Sequence, residues 1–400
     1  MSGEEPLRIP RGFRASGVKA GIKPSGGLDL AILAADGPCA AAGTFTTNRV
    51  CAAPVRWCRE RLPAEDIRAV VINAGNANAA TGQEGLANAR RTAARAGTLL
   101  GCGAEQILVA STGIIGHQLP MERLETGLEH AVASLTPDPD GFQTAARSIM
   151  TTDTRPKIVS DRQVINGREV NLLGLAKGAA MIGPRMATML AFLLTDAPLW
   201  ANDLRDILST AVDTSFNCLT VEGHASTNDT VLLLSSTASV EPTLKGEDIK
   251  PFAEMVQSAC EALARDIADD GEGATHFITI DVQGCLDTND ARSIARAVAE
   301  SALVKTAIHG ADPNWGRIVS AAGYAGVAFQ EEELSLWING VPVYQGGVPV
   351  PFDAGELSGS LKNRRAVDLR LTLTSGEATA RFWTCDLTAE YVRLNADYTT

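Results

Sequence analysis

The chain has 400 residues, with 35 Lys or Arg against 47 Asp or Glu, a formal net charge of −12. Its length is enough for a large core in two domains or one layered body. The acidic balance argues against a general nucleic-acid or anionic-membrane surface, and no apolar run approaches the roughly 20 residues of a membrane-spanning helix.

The start, Met1-Ser2-Gly3-Glu4-Glu5-Pro6, carries acids and no apolar segment, so no signal peptide is expected. Eight cysteines are scattered without CxxC or Cys/His zinc spacing. They read as reduced residues of a cytoplasmic protein, with no metal and no cofactor expected.

Residues 12–60 read as strands and turns, with apolar segments at 28–33 and 41–48. Ala69-Val70-Val71-Ile72-Asn73 is a buried strand. It enters a loop of small and amide side chains, Ala74 to Gly82, where backbone can approach backbone closely. A helix is predicted over 83–100, ending at Gly101. The strand 106–110 then delivers the chain to Ser111-Thr112-Gly113-Ile114-Ile115-Gly116. A strand ending in a Gly-containing turn presents N–H groups suited to a developing oxyanion, although a plain strand-to-helix turn reads the same way.

Helices are expected over 121–135 and 141–150. Thr151-Thr152-Asp153-Thr154-Arg155-Pro156-Lys157, taken alone, reads as a polar surface loop. Asn166-Gly167 signals a hairpin whose second strand leads to Lys177. Ala191-Phe192-Leu193-Leu194 is a buried strand. A helix over 201–216 is expected to be capped by Asn202 or Asp203. After it come a strand at 231–234, an amphipathic helix at 247–268, a strand at 277–282 and one helix over 290–305. A second Asn-Gly hairpin lies at Asn339-Gly340, and two strands fall within 366–386. The tail from Tyr391 to Thr400 is expected to dock. Mixed strands and helices, many joined by hairpins, favour an α+β layered body.

The stretch Lys177-Gly178-Ala179-Ala180-Met181-Ile182-Gly183-Pro184-Arg185-Met186-Ala187-Thr188-Met189-Leu190 turns and then runs into a core strand. Thr188 at that junction is a candidate nucleophile. A threonine hydroxyl needs a base. His117, His130, His224, His276 and His309 are isolated in sequence and read as structural. Cleavage of the Ala187–Thr188 bond would give Thr188 an α-amine of pKa about 7.7–8.0, able to take the proton of its own hydroxyl. The covalent state would be an acyl ester on Thr188 Oγ1. On these residues alone, a turn feeding a strand remains open as the plainer reading.

The same stretch closely resembles the autocleavage motif of the ornithine acetyltransferase family, the bifunctional arginine-biosynthesis ArgJ proteins. Further motifs in the same order resemble that family. They are Thr46-Thr47-Asn48-Arg49, Asn73-Ala74-Gly75-Asn76-Ala77-Asn78, Ser111 to Gly116, Thr151 to Thr154, Ser226-Thr227-Asn228-Asp229-Thr230, Asp270-Gly271-Glu272-Gly273-Ala274-Thr275, and Asp312-Pro313-Asn314-Trp315-Gly316-Arg317. The ending, Asp386-Leu387-Thr388 through Asn395 and Tyr398-Thr399-Thr400, fits as well. The resemblance implies a layered αββα-type α+β fold with mixed sheets and flanking helices. It implies self-cleavage into an alpha chain, residues 1–187, and a beta chain, residues 188–400, assembled as a heterotetramer of two of each. It implies acetyl transfer from N-acetylornithine to glutamate through Thr188, with acetyl-CoA as a possible further donor. Thr112 and Gly113 match the family's oxyanion-hole pair. Thr154, Lys177, Thr188, Glu272, Asn395 and Thr400 match its substrate-contacting positions.

Three departures stand out. Ala179-Ala180 replaces the usual Ser-Gly, Arg185 replaces a common Asn, and Glu222-Gly223-His224-Ala225 stands for the usual Asp-Gly-Asp-Thr. The alternatives are an amidase or peptidase of the same fold, an antibiotic-pathway acetyltransferase, and a binding protein that no longer cuts itself. A metal enzyme on His309, Asp312 and Asp153 matches no ligand motif.

Overall fold

The computed structural model describes residues 6–183, 189–236 and 243–397. Arg185, Ala187, Thr188 and Thr400 lie outside the described residues, and with them the expected cut and its two chains.

Among the described residues the larger sheet has eight strands: β1 (Phe13–Val18), β2 (Leu30–Phe45), β3 (Ala64–Asn76), β4 (Ile107–Ile114), β5 (Lys157–Ile165), β6 (Arg168–Lys177), β7 (Leu190–Thr195) and β8 (Thr230–Ser235). Their order is β4-β3-β2-β8-β7-β6-β5, with β1 also on β2. The pairs β3/β4 and β7/β8 are parallel and the rest antiparallel, so the sheet is mixed. The smaller sheet holds β9 (Phe277–Cys285), β10 (Ser335–Ile338), β11 (Val341–Gln345), β12 (Val348–Pro349), β13 (Ala366–Thr372) and β14 (Ala378–Cys385), in the order β12-β11-β10-β13-β9-β14.

The helices are α1 (Ala53–Arg59), α2 (Gly82–Leu100), α3 (Met121–Ala133), α4 (Pro139–Ile149), α5 (Ala201–Thr214), α6 (Ile249–Asp269), α7 (Thr288–Glu300), α8 (Ala302–His309), α9 (Trp315–Gly323), α10 (Ala354–Asn363) and α11 (Ala389–Asp397). One face of the large sheet packs with α1 to α4; the other packs with α5 and α6, and α6 and α7 carry the core on to β9 and β14. Strand β7 shows why its sequence is unbroken apolar. Leu190, Phe192 and Leu194 enter one core, while Ala191 and Leu193 enter the other, so both faces are buried. Strand β13 is buried on one face, alternating Val367, Leu369 and Leu371 with exposed Asp368 and Arg370, as a half-buried strand must.

Several expectations change. The apolar segments 28–33 and 41–48 are parts of one 16-residue strand, β2, whose register shifts between Ala34 and Cys39 and again before Ala41. Its first half pairs with β1 and β3 and its second half with β8. Residues 53–59 form a helix, opened by Pro54 in its first turn. Neither Asn202 nor Asp203 caps α5. Trp200 stands at the cap, and the Ala201 N–H donates instead to Glu65 Oε1 at 2.8 Å, from strand β3. The helix expected over 290–305 is two. Ser301 breaks it, and its hydroxyl accepts from the Val304 N–H to start α8. Both Asn-Gly hairpins form, with Asn166, Gly167, Asn339 and Gly340 all at positive φ, the two-residue turn that suits strand twist. No helix among the described residues is long and apolar enough to cross a membrane.

Candidate active site

The ends of β3, β4 and β6 and the residues before β8 meet at one edge of the large sheet. There a cavity is lined by Ala77, Thr112, Gly113, Lys177, Ser226, Thr227, Asn228, Glu272 and Asn395, together with Thr151, Thr152, Ile115, Ala180 and Met181. Its empty space, open mouth included, is about 640 Å³. In the β6/β7 ladder Lys177 pairs with Leu190, two residues after Thr188 in sequence. Ala180 and Met181, which follow Lys177 in the chain, line the same cavity.

Thr112 and Gly113 do not lie in a turn after β4; they belong to the strand, which runs on to Ile114. The strand is irregular there. Asn76 pairs with both Thr112 and Ile114, and Gly113 has φ +127°. A Cβ at Gly113 would sit 2.3 Å from the Gly75 carbonyl carbon, so only glycine fits this close approach. Asn228 binds the neighbouring strands together: its side-chain amide donates to the Ala77 carbonyl at 2.6 Å and the Ser111 carbonyl at 2.8 Å. Thr46 and Asn48 in turn donate to the Ser226 and Ala225 carbonyls. These contacts let the Thr46–Arg49 stretch back the Ser226–Asn228 wall of the cavity.

The Thr151–Lys157 segment is not the surface loop it reads as. Asp153 and Lys157 are buried. Asp153 Oδ1 accepts from Lys157 Nζ and from the Gly178 N–H, both at 2.7 Å, and Lys157 Nζ also donates to Asp270 Oδ2 at 2.6 Å. Burial works against the Asp153 charge, but the ammonium groups of Lys157 and Lys177 outweigh it and hold the carboxyl below its usual range. Lys177 is buried beside this cluster and donates to Thr151 Oγ1 at 3.3 Å. Burial lowers its pKa, while Asp153, Asp229 and Glu272 pull it back up.

Thr154 departs from its expected place. It is exposed, its N–H and hydroxyl both donate to Asp270, and it is not among the cavity lining. Thr151 and Thr152 stand there instead. Glu272 donates its N–H to the Ala179 carbonyl at 2.9 Å, and its Oε2 accepts from Asn395 Nδ2 at 2.9 Å. Thr388 holds this side together, accepting from the Tyr391 N–H and donating to the Gly273 carbonyl. As far as Asp397 the tail forms α11, which buries no residue but is tied to the site through Asn395 and Glu272; residues 398–400 of the expected docking tail lie outside the described residues.

From Arg14 to Thr400 the chain matches the model of the ArgJ family. The chain belongs to that family. The arginine biosynthesis bifunctional protein ArgJ of Rhodopirellula baltica is 44% identical over 395 residues, covering 98% of this chain and 96% of that one. Its counterpart in Dehalococcoides mccartyi is 45% identical over 398 residues, covering 98% and 97%. A solved structure, ornithine acetyltransferase of Mycobacterium tuberculosis complexed with ornithine, is 40% identical; it covers 45% of this chain and 94% of that one, with a TM-score of 0.40.

Two carboxylates, the buried Asp229 and the half-buried Glu222, have no counterpart among the expected ArgJ site residues. Asp229 Oδ1 accepts from the Met189 N–H at 3.1 Å, and burial pushes its carboxyl up to about 8. Glu222 Oε1 accepts from the Ile182 N–H at 2.5 Å, and burial pushes it up to about 8 as well. The Ile182 carbonyl in return accepts from the Val221, Glu222 and Gly223 N–H groups. Glu222, one of the departures from the family pattern, thus clamps the turn that precedes Pro184. The only sequence sign of these roles was an acid within or beside each motif.

Glu222 makes a measurable prediction. Its folded-state pKa lies above the ordinary carboxyl value of 4.5, so the folded chain holds the proton more tightly than the unfolded one. Its contribution to stability is full below pH 4.5 and is lost as pH rises toward 8. Glu222→Gln keeps an acceptor for Ile182 without a charge. It should melt about 2–4 °C above wild type at pH 8, with the difference closing by pH 5. Equal melting curves at pH 8 would show that the carboxylate carries no such burden.

Proposed function

We propose that this chain is a glutamate N-acetyltransferase of arginine biosynthesis that works through Thr188 after cleavage of the Ala187–Thr188 bond. The observation that carries this reading is the gathering of Thr112, Gly113, Lys177, Glu272 and Asn395 around one cavity. Family membership and the relatives' shared name support it.

In this mechanism the freed α-amine of Thr188 takes the hydroxyl proton. Oγ1 attacks the acetyl carbonyl of N2-acetylornithine, the oxyanion rests on N–H groups at Thr112 and Gly113, and ornithine leaves with its α-amine protonated by the same group. Glutamate's α-amine then attacks the acetyl ester, giving N-acetylglutamate and restoring the hydroxyl. Lys177 suits the α-carboxylate that both substrates share, and Glu272 suits ornithine's side-chain ammonium. Acetyl-CoA serves as a second acetyl donor. The mature enzyme is cytoplasmic and pairs two alpha with two beta chains.

The test is product analysis with N2-acetylornithine, with and without glutamate. Transfer gives ornithine and N-acetylglutamate in equal amounts, and only with glutamate present. Ornithine and acetate released at the same rate without glutamate would make the chain a hydrolase. An acetyl-CoA arm without acetylornithine tests the second donor.

A further inference from the structure

Three histidine or acid positions far apart in sequence meet away from the cavity. His276 at the start of β9, His309 at the end of α8 and Asp386 just after β14 turn towards one another, with Thr275 among them. His276 Nδ1 lies 2.9 Å and His309 Nδ1 3.2 Å from Asp386 Oδ2. Thr275 Oγ1 lies 3.0 Å from His276 Nδ1 and 3.2 Å from His309 Nδ1, and it also contacts Asp386 Oδ2. The isolated histidines of the sequence are therefore not all isolated in the fold.

The hydrogen bonding around this group has a direction. His276 Nε2 faces the Leu361 carbonyl at 3.1 Å. A carbonyl only accepts, so Nε2 carries a proton, which leaves Nδ1 as the ring nitrogen free to bind a cation. Asp386 Oδ1 is already occupied by the Thr275 and His276 N–H groups, at 2.8 and 3.0 Å. Oδ2 then meets two ring nitrogens and a hydroxyl at once, more partners than its two lone pairs serve well. A cation at the centre removes that conflict.

The geometry points to a binding site for a divalent transition-metal ion of zinc-like preference, held by His276 Nδ1, His309 Nδ1 and Asp386 Oδ2, with Thr275 Oγ1 or water as fourth ligand. Metal–ligand bonds of about 2.0–2.1 Å give a tetrahedron with edges of about 3.3 Å. The His276–Asp386, His309–Asp386 and two Thr275–histidine separations, 2.9–3.2 Å, need widen by only a few tenths of an ångström, whereas the closer Thr275–Asp386 contact has to open further or give way to water as fourth ligand. The Leu361 carbonyl on His276 and the two N–H groups on Asp386 are the outer contacts that orient metal ligands elsewhere. The side chain of Asp386 is fully buried and that of His276 is 9% exposed, whereas that of His309 is 41% exposed and leaves an entry path. Of the nearby cations, Lys362 and Arg364 are exposed to screening water, and Arg365 is paired with Asp269 at 2.7 Å. A bound ion would staple α8, β9 and β14 just after the loop that carries Glu272.

The test uses tag-free, chelator-treated full-length protein, equilibrium dialysis against Zn²⁺, and titration with Co²⁺. One Zn²⁺ per chain and the visible absorption of tetrahedral cobalt without a thiolate charge-transfer band are expected. His309→Ala, at a half-exposed position the fold tolerates, should weaken Zn²⁺ binding by about 10–100-fold and lose the cobalt spectrum, while His130→Ala keeps both. Absence of stoichiometric binding in wild type, or His309→Ala binding as tightly as wild type, would overturn the site. Neither readout depends on acetyl transfer, so the metal site and the proposed activity stand or fall separately.

Discussion

Thr188→Ala should leave one uncut 400-residue chain and lower acetyl transfer by at least about 10³-fold, because both the nucleophile and the base it acquires on cleavage are lost. Intact mass under denaturing conditions reads the first effect and product analysis the second. Wild type should give two fragments, the second beginning at Thr188. A wild-type protein that stays whole yet transfers acetyl would remove the amine from the mechanism. A Thr188→Ala protein that still transfers acetyl would remove the nucleophile. Thr188→Ser separates the two steps: it keeps a hydroxyl and should still cut, more slowly, and transfer measurably.

Gly113→Ala should cost about 10²–10³-fold in kcat, the range seen when one oxyanion donor is lost. The reason is steric. The backbone at φ +127° disfavours any side chain, and the added carbon would collide with the Gly75 carbonyl, so the N–H is pushed from its line. KM for N2-acetylornithine should change much less than kcat, since the oxyanion forms only as the reaction proceeds. An equal fall in kcat with Ala at a glycine outside the cavity, such as Gly359 with open space around it, would instead mark a general loss of packing. A Gly113→Ala enzyme with unchanged kcat would move the oxyanion site elsewhere.

Much of the fold is written locally. The runs at 191–194 and 231–234 have to be strands covered on both faces, because four successive apolar residues in a strand leave neither face for water. Asn166-Gly167 and Asn339-Gly340 have to be tight turns, because those residues accept positive φ at least cost. The helix over 83–100 ends where Gly101 takes the left-handed conformation, at φ 70°. The failures are equally physical. The apolar segments 28–33 and 41–48 read as separate, yet β2 joins them by shifting register and changing partners. That outcome depends on what lies beside the strand, which no local window contains.

The site divides in the same way. Motif order was enough to select Thr112, Gly113, Lys177, Glu272 and Asn395, and these do share a cavity. Sequence could not tell that Thr154 gives its hydroxyl to Asp270 while Thr151 turns to Lys177, because neighbouring threonines offer the same chemistry and only packing assigns their partners. It could not see that Glu222 holds Ile182, or that Asp229 holds Met189.

By itself, then, the sequence determined the family, the apolar strands, the hairpin turns and the chemistry available at Thr188, since each depends on residue type and near spacing. Only the tertiary structure decided which carboxylates are buried, which threonine reaches the cavity, and that His276, His309 and Asp386 converge. Those are contacts between segments up to 116 residues apart, and burial and charge act through space rather than along the chain.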